Sequence, residues 1–165
     1  MYRILTASKD TYITNKIINN KFRATDANTG QASTLDLFKL YAESTSGSNT
    51  SPNEISRILV KFDLKPIRDL TSSFLDITNP SFSVTLNMSD VYGGQTIPSN
   101  FNVAVFPLSK SFDEGVGRDI VNFSDLDSAN FLTASVKEGT TVLWTSPGAN
   151  KQGLLGSENI DIISS

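Results

Sequence analysis

The chain has 165 residues, 38% hydrophobic and 19% charged, with a formal net charge of −3. Such a length suits one domain with its own core, and the acidic balance with scattered Lys and Arg argues against a phosphate-binding surface and so against nucleic-acid partners. Neither Cys nor His occurs, which removes disulfides, thiolate chemistry, a Ser-His-Asp triad and an ordinary zinc site, and leaves carboxylate, hydroxyl or oxygen-ligated calcium chemistry.

In chain order, Arg3–Thr6 and Thr11–Thr14 read as short strands, and residues 15–33, rich in Asn, Thr, Gly and Ala, read as loop. The opening segment has no apolar stretch of the kind a secretory signal needs, and no apolar run approaches the roughly 20 residues that span a bilayer. The expectation is synthesis in a cytosol without an export signal and without membrane insertion. Leu35–Tyr41 is the next strand, followed by a Ser-, Thr- and Asn-rich loop over residues 42–53. In Arg57–Leu64, Ile58, Val60, Phe62 and Leu64 alternate with Arg57, Lys61 and Asp63, which predicts a strand with the even-numbered face buried and the odd face wet. Pro66 with Ile67, Leu70, Phe74 and Ile77 predicts a short helix over residues 65–77. Phe82, Val84, Leu86 and Met88 alternate with Ser81, Ser83, Thr85 and Asn87 in the cleanest half-buried strand pattern of the chain. Gly93-Gly94 turns it toward a partner strand at Phe101–Leu108. Ser124–Leu132 reads as a second short helix capped by Ser124, and Val142–Thr145 as one further strand.

Together these elements predict a single all-β domain over residues 1–165, a jelly-roll-like antiparallel β-sandwich with one or two short helices. Beyond Gly153 only Ile160, Ile162 and Ile163 offer core residues. The closing strands are therefore expected to be missing: either the chain is the N-terminal part of a longer protein, or a neighbouring subunit supplies the edge.

Four segments occur in order: Asp10-Thr11-Tyr12-Ile13, Ser56 to Leu64, Phe112-Asp113-Glu114-Gly115-Val116-Gly117, and Trp144-Thr145-Ser146-Pro147-Gly148-Ala149. This order resembles the DNRLRE-type β-sandwich, a jelly roll similar to carbohydrate-binding modules of secreted bacterial proteins. The usual closing section, with its Asp-Val-Thr strand and final hairpin, has no counterpart here. The polar, Cys-free and His-free style without a signal peptide is also similar to virion proteins of tailed phages, including those of marine cyanobacteria. That resemblance implies a non-enzymatic structural component of a tail, neck, baseplate or capsid, assembled in the host cytoplasm with copies of itself and other virion proteins. The alternative it implies is a module that binds a host-surface glycan.

Four groups of residues are candidates for chemistry, each with a structural reading beside it. Asp113, Glu114 and Asp119 in a Gly-rich loop could ligate calcium through oxygens, the one cofactor left open; as structure, Gly115 and Gly117 supply positive backbone angles and Asp113 bonds nearby amides. Asp10 at a strand entry could hold a cation or simply cap a turn. Among Tyr2, Tyr12, Tyr41, Tyr92 and Trp144, Tyr92 beside Gly93-Gly94 is the candidate for stacking on a sugar, while Trp144 is expected in the core. The pairs Asp125 with Asp127 and Asp113 with Glu114 have the composition of a glycosidase pair, but seventeen acidic residues produce such pairs by chance.

Overall fold

A computed structural model of the chain describes residues 2–41, 52–71, 74–89, 91, 102–122 and 127–164. The strands are β1 (Ala7–Thr14), β2 (Ile17–Ile18), β3 (Phe22–Arg23), β4 (Lys39–Tyr41), β5 (Pro52–Phe62), β6 (Thr133–Lys137), β7 (Thr140–Leu143), β8 (Gln152–Gly153) and β9 (Ile162–Ile163), with one helix, α1 (Lys65–Thr71). The fold is all-β: β2 with β3, β4 with β5 and β6 with β7 pair antiparallel, and β8 with β9 pairs parallel. The largest sheet has the order β1-β5-β4.

The chain divides into two compact units, Met1–Ser8 with Lys61–Val103, and Lys9–Val60 with Ala104–Ser165. The second holds the core. Ile13 of β1, Leu59 of β5, Ala134 of β6, Phe112, Ala129, Trp144 and Ala149 form one buried cluster with Leu108 packed against it. A smaller cluster joins Ile18, Ala24 and Ala27, with Ile120 against it.

Strand β5 lies where the alternation places it, with Ile58, Val60 and Phe62 half-buried and Lys61 and Asp63 exposed, but the odd-numbered face is covered as well at Leu59. Leu59 is 3% exposed, whereas Leu64, expected inward, is 61% exposed. The reason is Arg57, two residues before Leu59 and so on the same face. Its guanidinium donates to the Gly148 carbonyl at 2.7 Å and to the Asn150 side-chain oxygen at 2.8 Å. Those bonds let a cation share the core face, because its charge is satisfied while its stem packs.

Two hairpins were not anticipated. β2 and β3 pair across Asn19 and Asn20, both left-handed (φ 51° and 54°), a conformation that Asn tolerates better than most residues. β6 and β7 pair across Glu138 and Gly139, also with positive φ (50° and 75°), which matches the twist of a tight hairpin. The chain end also returns to the fold: Leu108 bridges Ile162, and Ile160 and Ile162 are buried.

In the other unit, the Asp63 carboxylate accepts the Lys65 amide and Lys65 pairs with Asp69 one turn on, which starts α1. The helix is described as far as Thr71, whose hydroxyl donates back to the Arg68 carbonyl, and residues 74–77 are not helical. Residues 82–88 form no strand, despite their alternation, and Val84, Leu86 and Met88 are exposed. Residues 102–107 likewise lie outside any strand, and residues 127–132 form turns and bends in place of the expected second helix.

Candidate functional site

The Gly-rich loop after Phe112 is the best-built polar region of the molecule, and Asn28 is its centre. The fully buried Asn28 donates from Nδ2 to the carbonyls of Glu114 (2.8 Å) and Ala129 (2.9 Å). Its Oδ1 accepts the amides of Gly30 (3.2 Å) and Gly117 (2.8 Å). One side chain thus joins three loops that are distant in sequence, using its full donor capacity. The glycines make this possible. Gly115 has φ +79°, as its place in a turn requires, while Gly117 serves by close approach: a Cβ there would lie 2.0 Å from the Asn28 carbonyl oxygen.

The acidic residues of this loop do not converge. The Asp113 carboxylate accepts the Val136 amide at 3.1 Å and faces Lys9 Nζ at 3.6 Å. Glu114 Oε1 accepts the backbone amide of Asp10 at 2.7 Å, which ties the loop to β1. Asp119 accepts the amides of Val121 and Asn122, and those bonds to Asn122 and Val121 hold its carboxyl below the ordinary value. Among the described residues no group of three or more His, Cys, Asp or Glu stands close enough to hold a metal ion. Asp10 contributes its backbone amide rather than a carboxylate to this region.

A fully buried carboxylate, which the sequence did not single out, lies apart from this loop. Asp161 is 0% exposed and accepts the amides of Thr145 (2.6 Å), Ser146 (2.9 Å) and Lys151 (3.0 Å), with Lys110 Nζ 3.2 Å away. Burial by itself would raise its pKa, but the bonds from Thr145, Lys151, Ser146 and Lys110 outweigh it and hold the carboxyl below its usual range. Its task is to satisfy the turn after Trp144. Trp144 is buried, as expected, and its indole N–H donates to the Asn130 carbonyl at 2.9 Å.

One open cleft of about 510 Å³ lies on this unit, lined by Tyr12, Lys16, Asn19, Asp36, Arg118 and Asp119 among others. Tyr12 forms part of its wall but is 5% exposed, so its ring face is not a platform for a sugar. Burial pushes the Tyr12 phenol up to about 12, with the nearby charges of Asp36 and Asp119 adding to the effect. The lining joins residues 12–36 with 118–121, a juxtaposition that no local motif announces. Of the other aromatic candidates, Tyr2 is exposed and Tyr92 lies outside the described residues, as does Asp125. The arrangement supplies hydrogen-bond donors and acceptors of both signs, but the acidic members already serve the fold. Comparison with protein-family models, with curated proteins and with solved structures gave no match to this chain.

Proposed function

We propose that the chain is a non-enzymatic structural component of a tailed-phage virion that assembles with copies of itself and other virion proteins into a symmetric oligomer. The observation that carries this reading is the exposure of large apolar side chains in each of two runs of chain, residues 84–88 with Val91 in one unit and Val105 with Phe106 in the other. Val84 is 81% exposed, Leu86 45% and Val105 71%, and Met88, Val91, Val103 and Phe106 are exposed as well. Large apolar side chains clustered along a run of chain signify a surface that another surface covers, and closed symmetric assemblies are the usual way to cover it. The ordered resemblance of four segments to a sandwich module, and the polar, Cys-free and His-free composition, support the virion setting. The carboxylates fit the same reading, since Asp113, Glu114, Asp119 and Asp161 each bond backbone amides. The test is to band particles on a density gradient and identify their proteins by mass spectrometry. Peptides of this chain in fixed ratio to a major structural protein are expected in the particle band, and their confinement to the soluble fraction would overturn the reading.

A second reading, a glycan-binding module used in host attachment, rests on the cleft beside Tyr12. Lys16, Arg118, Asn19, Ser33 and Thr34 line it and can engage sugar hydroxyls. It predicts polysaccharide binding that Arg118→Ala weakens, with no change in assembly.

A further inference from the structure

Strand β5 is eleven residues long, and β4 covers only its first part, pairing with Pro52, Glu54 and Ile55. The last backbone bond on that side runs from the Ser56 amide to the Phe38 carbonyl, 3.0 Å. The groups of β5 alternate in direction. Ile55 and Lys61 turn their carbonyls to the β1 side, where they accept the Asn15 amide and the Ser8 hydroxyl. Ile58, Val60 and Phe62 therefore point their amides and carbonyls to the β4 side, and among the described residues no strand pairs with them there. The outer edge of β1, by contrast, is closed by side chains. Thr29 Oγ1 bonds both the amide and the carbonyl of Tyr12, and Glu114 takes the Asp10 amide.

The chain also carries a segment suited to such an edge. Residues 81–89 (Ser-Phe-Ser-Val-Thr-Leu-Asn-Met-Ser) contain no charge, no Pro and no Gly, and they alternate at the strand period with Val84, Leu86 and Met88 exposed and Phe82 half-buried. Strand alternation has a physical purpose only in a sheet, and an uncharged run with β-forming residues is the kind that adds to another chain's open edge. Seven residues from Phe82 to Met88 extend over roughly 23 Å at strand rise, enough to run past Ile58, Val60 and Phe62. Resting on the assembly reading above, we infer that residues 82–88 of one copy add as a strand to the open edge of β5 in a second copy, so that subunits join by exchanged strands.

The full chain tests this by sedimentation equilibrium over a wide concentration range. Val60→Pro removes one outward amide while leaving the β1 ladder untouched, because Pro is accepted where a strand N–H has no ladder partner; Leu86→Lys puts a charge in the donor's apolar face. Each is expected to weaken self-association at least tenfold, and a synthetic peptide of residues 81–89 in excess to lower the mean mass. If Val60→Pro fails to fold, the Leu86→Lys variant and the peptide still decide the matter. In hydrogen exchange, the amides of Ile58 and Val60 should exchange fast in the monomer and slowly in the oligomer. A wild-type chain that stays monomeric overturns the inference, as does an oligomer indifferent to both variants and the peptide. In that last case co-banding with particles would still uphold the assembly reading, so the two can fail separately.

Discussion

The knot around Asn28 and the run from Ser81 to Ser89 are opposites. The run has the most regular hydrophobic pattern in the sequence, yet Val84, Leu86 and Met88 are exposed. The knot has no period at all, being built of Asn, Gly, Thr and backbone, and it is the most completely buried polar region of the unit that holds it. Periodicity states which face of a strand wants burial; it does not supply the surface that buries it. A buried amide with four satisfied bonds specifies its own surroundings, because each partner left behind would be a costly orphan.

The sharpest way to break the contrast is to attack the knot. Asn28→Ala leaves buried amides and carbonyls unpaired, and Gly117→Ala forces a Cβ against the Asn28 carbonyl oxygen. Each should cost about 4 kcal/mol or more, close to the whole stability of a small domain, so chemical denaturation should find little folded protein. Next comes Asp161→Ala, expected to cost about 3 kcal/mol by leaving three buried amides without their acceptor and Lys110 without its counter-charge. The same carboxylate gives a pH test. Its folded pKa is depressed, so its stabilisation is present above the unfolded value and lost as pH falls through the folded one. Acid unfolding of the wild type should therefore be steeper than that of Asp161→Asn.

Tyr12 works in the opposite sense. With its phenol raised to about 12, folding favours the neutral form, so that stability is complete below pH 10 and falls between 10 and 12, by on the order of 2 kcal/mol. Ultraviolet titration should show a phenol ionising near 12, and Tyr12→Phe should abolish that step. A smaller loss, about 1 to 2 kcal/mol, is expected for Trp144→Phe, which removes the indole bond to Asn130 and leaves a small void. Smallest of all is Val84→Ser. It should leave thermal unfolding of the monomer within about 0.5 kcal/mol of wild type, because the side chain is already in water. A large loss there would erase the distinction between the two regions.

Much of the fold was legible from local pattern. Composition and alternation indicated an all-β chain, Pro66 marked the start of α1, and the Asp10–Ile13 and Arg57–Leu64 segments fell on the two longest strands. What the alternation missed was the burial of Leu59 on the odd face of β5, where a cation two residues earlier is acceptable because Gly148 and Asn150 receive it. The β2–β3 hairpin hid in a polar stretch, although Ile17-Ile18 followed by Asn19-Asn20 is a usable turn signal. The candidate carboxylates were read as a cluster because they are near in sequence. In space, Glu114 serves β1, Asp113 serves β6 and Asp119 serves its own turn. Asp161 and the lining of the cleft were invisible for the converse reason, since their partners come from remote parts of the chain.

The Glu138-Gly139 turn has a practical consequence. Its two residues form an exposed apex, and a side chain added at Gly139 would meet nothing within 4 Å. The strands on either side hold their register independently of what the apex carries, so a short epitope spliced there would stand clear of the core. An antibody fragment or gold label directed to it would then mark, by electron microscopy, the position of the chain in any assembly that contains it.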